Sequence, residues 1–274
     1  MERELAYVET ERVGAVEVIR LASERTRNSL SNGMREALAR AFSDAARDRE
    51  VRAIYLTAKG PHFCSGGDLN ALDEVRQDPW AVHRRFRDMG QWLLPFMRVE
   101  KPVLVGVRGY AVGGGLGLAL AGDMMIASET AKFAASWLRL GIMPDALALY
   151  TLPRLVGLAK ARKLFITEEV LDAGEAENLN LASEVLPDNE LDARGMELAQ
   201  SLASGPAEVW GLTKLILSRT FETSIDDMFL LEGLGQVVAM GGPEFDYRLH
   251  AFLEKRVQQP SAGDLLRKRK REGQ

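Results

Sequence analysis

Two glycine-rich segments carry residue types and spacing suited to chemistry: KGPHFCSGGD, from Lys59 to Asp68, and YAVGGG, from Tyr110 to Gly115. Each follows an apolar run, VRAIYLTA for the first and PVLVGVRG for the second, and each leads into a helical pattern. Glycine lets a backbone turn tightly and lets a ligand approach the main chain. A helix N-terminus leaves N–H groups unpaired, and its dipole favours negative charge. Two such loops can aim two N–H donors at one oxygen, the form of an oxyanion hole. A donor of that kind is worth about 2.7–4 kcal/mol in the transition state. For either loop alone, other uses stay open. Close helix packing is one. A nucleotide loop is another, but GGGLGL lacks the last glycine of G-x-G-x-x-G, no acidic residue stands clearly at the end of a following strand, and no G-x-x-x-x-G-K-[ST] occurs.

An oxyanion hole moves no proton, so a base is needed. Asp145, in GIMPDALALY, follows Pro144 at a predicted helix start. Apolar neighbours raise its pKa and the helix dipole lowers it. Locally it reads either as an acid–base group or as a helix N-cap. Asp68 reads as an N-cap. Cys64 reads as a small buried apolar residue. Three scattered histidines give no metal pair, and a single cysteine excludes a disulfide framework or a Cys-cluster site, so no metal is expected. Glu168, Glu169, Glu175 and Glu177 read as solvated helix charges.

The elements that must position these groups follow from periodicity. Strands are predicted at Val13–Leu21, Val51–Ala58, from Pro102 through PVLVGVRG, in DMMIAS and in LASEVL. Leu5–Glu9 is a candidate partner for the first. Ser31–Arg47 has a helical period, with Ser31 or Asn32 as cap. Leu69–Arg98 reads as helical with breaks at Asp78-Pro79 and at Pro95. Lys132–Leu140 reads as a connection, and the chain after Leu158 as helix apart from LASEVL. The fold class is α/β. Residues 1–187 are expected to form the core with the site, 188–259 a helical region that packs on the core or another subunit, and 260–274 a disordered basic tail.

The 274 residues are 46% hydrophobic and 27% charged, ordinary for a globular protein. The net charge of -4 argues against nucleic acid as the main partner. The start has no apolar signal region, and no run of 18 apolar residues occurs. The expected setting is the cytoplasm, with no membrane partner.

HFCSGGDL (62–69), KPVLVGVRGYAVGGGLGLALAGDMMIAS (101–128), and AKFAASWLRLGIMPD (131–145) with LPRLVG (152–157) resemble three signature blocks of the crotonase (enoyl-CoA hydratase/isomerase) family. The resemblance runs from ERTRNSL to AFLEKR, nearly the whole chain. It implies a spiral of ββα units whose C-terminal helices assemble a homotrimer or a dimer of trimers. It implies an acyl-CoA thioester substrate, an enolate intermediate, and no cofactor beyond the CoA that the substrate carries. By position it assigns the oxyanion N–H groups to Gly67 and Gly114. It sets the Ser65 carbonyl against the adenine amino group, and Arg25, Thr26 and Arg27 beside the CoA adenine and phosphates. It sends Phe252 and Lys255 to a neighbouring subunit's CoA.

Hydratases of the family hold the attacking water with two glutamates, at positions that are Gly117 and Trp137 here. Glycine and indole cannot replace them, which argues against plain hydration. Branches with an aspartate at the position of Asp145 include dienoyl-CoA isomerases, ring-opening isomerases of phenylacetyl-CoA breakdown and, as a nucleophile, 4-chlorobenzoyl-CoA dehalogenases. The dehalogenase branch shares the Trp137–Asp145 spacing, but its His and adjacent Trp on the preceding helix are replaced by Met89 and Gly90. The expected reaction is therefore an enoyl- or dienoyl-CoA isomerisation with Asp145 as acid and base. Hydratase or dehalogenase-like activity is the alternative within the family. A non-catalytic acyl-CoA- or RNA-binding homologue is the alternative of another class, and RKRKRE is the only feature for RNA. Trp137 either lines the acyl pocket or packs in the core.

Overall fold

The computed structural model describes residues 7–254, 256 and 260–272. Two strands, β1 (Val8–Val13) and β2 (Val16–Leu21), form an antiparallel hairpin. The continuous strand expected from Val13 is broken at Gly14, which turns the chain at φ +58°. The chain continues through β3 (Ala53–Ala58), β4 (Val103–Val107), β5 (Tyr110–Val112), β6 (Met124–Ser128), β7 (Lys132–Ala134), β8 (Val170–Asp172) and β9 (Glu184–Leu186). Six strands form one sheet in the order β1-β2-β3-β4-β6-β9, and every pair after the hairpin is parallel. Parallel pairing requires crossovers, and helices supply them.

Three of these helices bear on the site: α1 (Asn32–Arg47), α2 (Leu69–Val75) and α3 (Pro79–Met97). Ser31 caps α1 by accepting from Met34 N–H at 3.2 Å, a contact worth about 1 kcal/mol. Asp78 caps α3 by accepting from Trp80 N–H at 2.9 Å, which explains the break at Asp78-Pro79, whereas the break expected at Pro95 does not occur, since α3 runs on through it to Met97. Met34, Leu38 and Phe42 turn one stripe of α1 into the core, where Phe42 stacks on Phe96 of α3 with ring centroids 3.8 Å apart. The helices α4 (Gly114–Ala119), α5 (Ala148–Val156), α6 (Leu158–Thr167) and α7 (Ala173–Asn178) follow.

A second sheet, β5-β7-β8, escapes the sequence reading. Each of its strands has three residues, too few to display alternation. Two expectations are corrected by it: Lys132–Leu140 is not merely a connection, and a strand interrupts the region after Leu158. The central strands β3 and β4 of the larger sheet are buried on both faces. On one face Tyr55, Leu104 and Ile126 pack with Leu191, Leu198 and Ala199 of α8 (Leu191–Ser204). The boundary expected at 187/188 therefore does not separate cores, because α8 completes the sheet's second face.

Beyond α8 lie α9 (Ala207–Leu217), α10 (Ile225–Met240), α11 (Pro243–Leu253) and α12 (Ala262–Glu272). The expected disordered tail is thus helical over α12. Arg194 donates to Leu265 O at 3.0 Å, Arg269 pairs with Glu184 and Glu190, and Leu265 and Leu266 pack against the second core. Among the described residues, no helix is long and apolar enough to cross a membrane.

Candidate active site

The two glycine loops leave neighbouring parallel strands, β3 and β4, and are joined by main-chain bonds. Cys64 N–H donates to Tyr110 O at 2.8 Å, and Val112 N–H donates back to Cys64 O at 3.0 Å. Leu30 N–H donates to Gly66 O at 2.8 Å, which ties in the loop before α1. Gly66 has φ +99°, and a Cβ there would lie 2.7 Å from Val112 O, so the crossing of the loops needs glycine for both conformation and space. Beyond it, the N–H groups of Gly67 and Gly114 donate to no protein acceptor among the described residues. Gly114 opens α4 and Gly67 precedes α2, so both stand at helix starts. Asp68 is the cap of α2, accepting from Asn70 N–H at 3.0 Å and Ala71 N–H at 3.4 Å. Its N-cap reading holds.

Asp145 meets this pair of donors. A methyl group set on Gly114 Cα would lie 3.8 Å from Asp145 Oδ1 and 3.9 Å from Gly67 N. Asp145 does not cap a helix: α5 begins at Ala148, with Leu147 in the cap position. Its Oδ1 instead accepts from Trp137 Nε1–H at 2.8 Å. Burial pushes the carboxyl above the ordinary aspartate value, opposed by the Trp137 hydrogen bond and by the more distant charges of Arg85 and Arg35. The result is a more basic carboxylate fixed beside two free N–H groups. Trp137 is 2% exposed and packs near Phe165, yet its indole edge reaches the site, so it serves both core and pocket.

The chain reverses after Asp145 through Ala146 and Leu147, both left-handed at φ 49° and 61°. This turn fills the space beside Gly117. A Cβ on Gly117 would lie 2.6 Å from both Ala146 Cβ and Ala146 O. The position that carries a glutamate in hydratases therefore has no room for a side chain.

Around these groups is a cavity of about 1140 Å³. Arg27, Ser65, Gly67, Gly114, Trp137 and Asp145 all line it. Ser65 is held by its N–H on Arg27 O at 3.0 Å and its hydroxyl on Thr26 O at 3.3 Å. Arg25 and Thr26 stand exposed on the adjoining turn and do not line the cavity. Phe252, on α11, is 76% exposed and away from its own chain's cavity. Lys255 lies outside the described residues. Met89 and Gly90 line the cavity, whereas Trp92 is in the core against Phe42.

Cys64 is fully buried, and burial pushes its thiol up to about 12, so it stays protonated. Glu168 corrects the expectation of a solvated charge. It is 9% exposed and binds the Arg139 backbone N–H at 3.0 Å and the Arg139 guanidinium at 3.1 Å, pinning the turn that follows Trp137. Those bonds hold its carboxyl below the usual range. Asn28 was not singled out from sequence. Fully buried, it accepts from Ser23 N–H and donates to Lys59 O and His62 O, clamping the first glycine loop. Its place in the ERTRN segment was the available signal. Arg35 and Arg85 were also missed. They enter the cavity wall from α1 and α3, and no local pattern sets them apart from other helix charges.

Residues 11–260 match the enoyl-CoA hydratase/isomerase family. The chain is 34% identical over 239 residues to a 1,2-epoxyphenylacetyl-CoA isomerase of Escherichia coli (strain K12), covering 85% of this chain and 89% of that one. It is 29% identical over 253 residues to 4-chlorobenzoyl coenzyme A dehalogenase-1 of an Arthrobacter species, covering 92% of each. Among solved structures, an enoyl-CoA hydratase/isomerase from Cupriavidus metallidurans CH34 superposes with a TM-score of 0.88 at 31% identity, covering 95% of this chain and 97% of that one. The α/β spiral of ββα units with its C-terminal helices is the crotonase fold. The chain belongs to the enoyl-CoA hydratase/isomerase family and is an acyl-CoA enzyme.

Proposed function

We propose that the enzyme isomerises an enoyl- or dienoyl-CoA, with Asp145 as the shuttling base. The observation that carries this reading is the convergence of Asp145 Oδ1 and Gly67 N on the same point next to Gly114. The thioester oxygen receives hydrogen bonds from Gly67 and Gly114 N–H. Asp145 removes a proton from a carbon conjugated with the thioester, and the C–H electron pair moves into the acyl chain to leave negative charge on the oxygen. The same carboxyl, whose proton exchanges with solvent during turnover, then delivers a proton to another carbon of the conjugated system, and the double bond moves. Burial favours this by raising the basicity of Asp145, and Trp137 holds its orientation. Gly117 and Trp137 stand in place of the hydratase glutamates, and Asp68, which also lines the cavity, is engaged in capping α2.

Arg27 and Ser65 at the cavity edge suit the CoA end, with Arg25 and Thr26 beside them on the outer turn. Phe252 and Lys255 are proposed to serve a neighbouring subunit's CoA in a homotrimer or dimer of trimers. A nucleophilic role for Asp145 is the second reading, favoured by its bond to Trp137 and the similarity to the 4-chlorobenzoyl coenzyme A dehalogenase. Mass spectrometry of acyl-CoAs incubated with the enzyme in deuterated water tests the two. Isomerisation adds deuterium to an unsaturated acyl-CoA in an Asp145-dependent way. A covalent adduct on Asp145 with a halogenated aryl-CoA, and no deuterium uptake with any substrate, would replace the first reading with the second.

A further inference from the structure

Arg35 on α1 and Arg85 on α3 face each other across the cavity wall. Both donate to one acceptor, Asn32 Oδ1, with Arg85 Nη1 at 2.7 Å. Their remaining acceptors are backbone carbonyls at 3.4 Å: Arg85 O for Arg35 and Leu30 O for Arg85. Arg35 Nε is buried with no partner. Neither guanidinium lies within 4.0 Å of a carboxylate among the described residues. Other half-buried arginines of this molecule are neutralised: Arg194 by Glu184 and Glu197, and Arg108 by Asp192.

Two adjacent guanidiniums repel, and each offers five donors in a planar fork. An amide oxygen and two long carbonyl contacts satisfy little of that. Carboxylates act on the two guanidiniums from a distance, Asp88, Glu36 and Asp145 on Arg35 and Asp68, Asp145 and Glu74 on Arg85, but none is in contact. With Val75 and Met89 the two arginines form the wall shared with a second cavity of about 870 Å³ between α1 and α3. A planar anion with two oxygens matches two facing forks.

We propose that Arg35 and Arg85 form the subsite for a carboxylate at the far end of the acyl group, so that the substrate is a CoA monothioester of a dicarboxylic acid. This rests on the acyl-CoA isomerase reading and adds the acyl class. The thioester sits at Gly67 and Gly114, the reacting carbons at Asp145, and the distal carboxylate at the arginines. The two guanidiniums then gain a direct carboxylate contact, which no side chain among the described residues gives them.

The CoA phosphates are the other source of anionic oxygen, and a paired comparison separates them. Calorimetric titration uses saturated dicarboxylic monothioesters of CoA, in a series of chain lengths, and their monomethyl esters. Both members of each pair carry the same CoA and neither can isomerise. In the wild-type protein the free acid of the fitting length binds about tenfold or more tighter than its ester, a difference of about 1.4 kcal/mol. In Arg35→Gln and in Arg85→Gln that preference falls below about threefold. Equal affinity for acid and ester at every length in the wild type overturns the proposal, and so does absence of binding by both. A preference that survives both substitutions also overturns it. The wild-type comparison needs no variant to fold. Failure of the isomerase reading is read separately, as absence of Asp145-dependent deuterium uptake, and leaves this binding ratio measurable.

Discussion

The indole N–H of Trp137 donates to Asp145 Oδ1 across 2.8 Å, joining a residue of the core to a carboxylate set beside two free main-chain donors. The bond stabilises the charged form of Asp145 while burial destabilises it, and burial dominates. A base results whose strength is set by the balance of two opposing effects, and each can be altered separately.

Asp145→Asn retains the size of the side chain but cannot accept a proton. Deuterium exchange and isomerisation are expected to slow by about 10²–10⁴-fold, the usual range for a general base. Acyl-CoA affinity and thermal midpoint stay near those of the wild type, because Asp145 caps no helix. Steady-state rates together with a melting curve check this, and an active Asn variant removes Asp145 from the mechanism.

Trp137→Phe removes the donor and keeps most of the apolar packing. Loss of a hydrogen bond to a carboxylate raises its pKa further. The ionised form is the base, so the rate rises with pH as Asp145 loses its proton. The acid limb of the kcat/KM profile is therefore expected above the ordinary aspartate range in the wild type and higher still in Trp137→Phe. A limb that moves to lower pH would contradict the role given to the indole.

Gly117→Glu restores the residue type found in hydratases at this position but is expected to yield no hydration. The side chain must displace Ala146, whose Cβ and carbonyl oxygen lie 2.6 Å from the site of the new Cβ. Even Gly117→Ala should cost about 1–3 kcal/mol by overpacking. Denaturant unfolding measures the cost, and water addition to an enoyl-CoA measures the activity.

On α10 no side chain is buried, although Ile225, Phe229, Val237 and Val238 are 85%, 78%, 73% and 69% exposed. An apolar patch of that extent is expected to be covered by another subunit. Light scattering is expected to report three or six chains, and Phe229→Glu with Val237→Glu to shift the population to smaller species. A stable wild-type monomer at micromolar concentration would sink the assembly and the cross-subunit role of Lys255 with it.

Residue order alone was enough to identify the glycine loops, the cap at Asp68, the longer strands of the large sheet and the family pattern, and it narrowed the cap of α1 to Ser31 or Asn32. Caps and strand runs are legible because they depend on neighbours a few residues away. Asp145 was half legible. Its type and place after Pro144 fit a cap as well as a base, and only the fold, by bringing Trp137 Nε1 to its oxygen and starting α5 at Ala148, excludes the cap. The same holds for Gly117, whose lack of a side chain is explained by the left-handed Ala146–Leu147 turn packed against it. The short strands β5, β7 and β8 exist through mutual pairing rather than any period of their own. The helical segment after Ser261 is held by ion pairs of Arg269 with residues roughly eighty positions earlier. Arg35 and Arg85 look like ordinary surface charges in the sequence. Their facing arrangement arises from α1 packing on α3 through Phe42 and Phe96, a contact between residues far apart in the chain that no local pattern encodes.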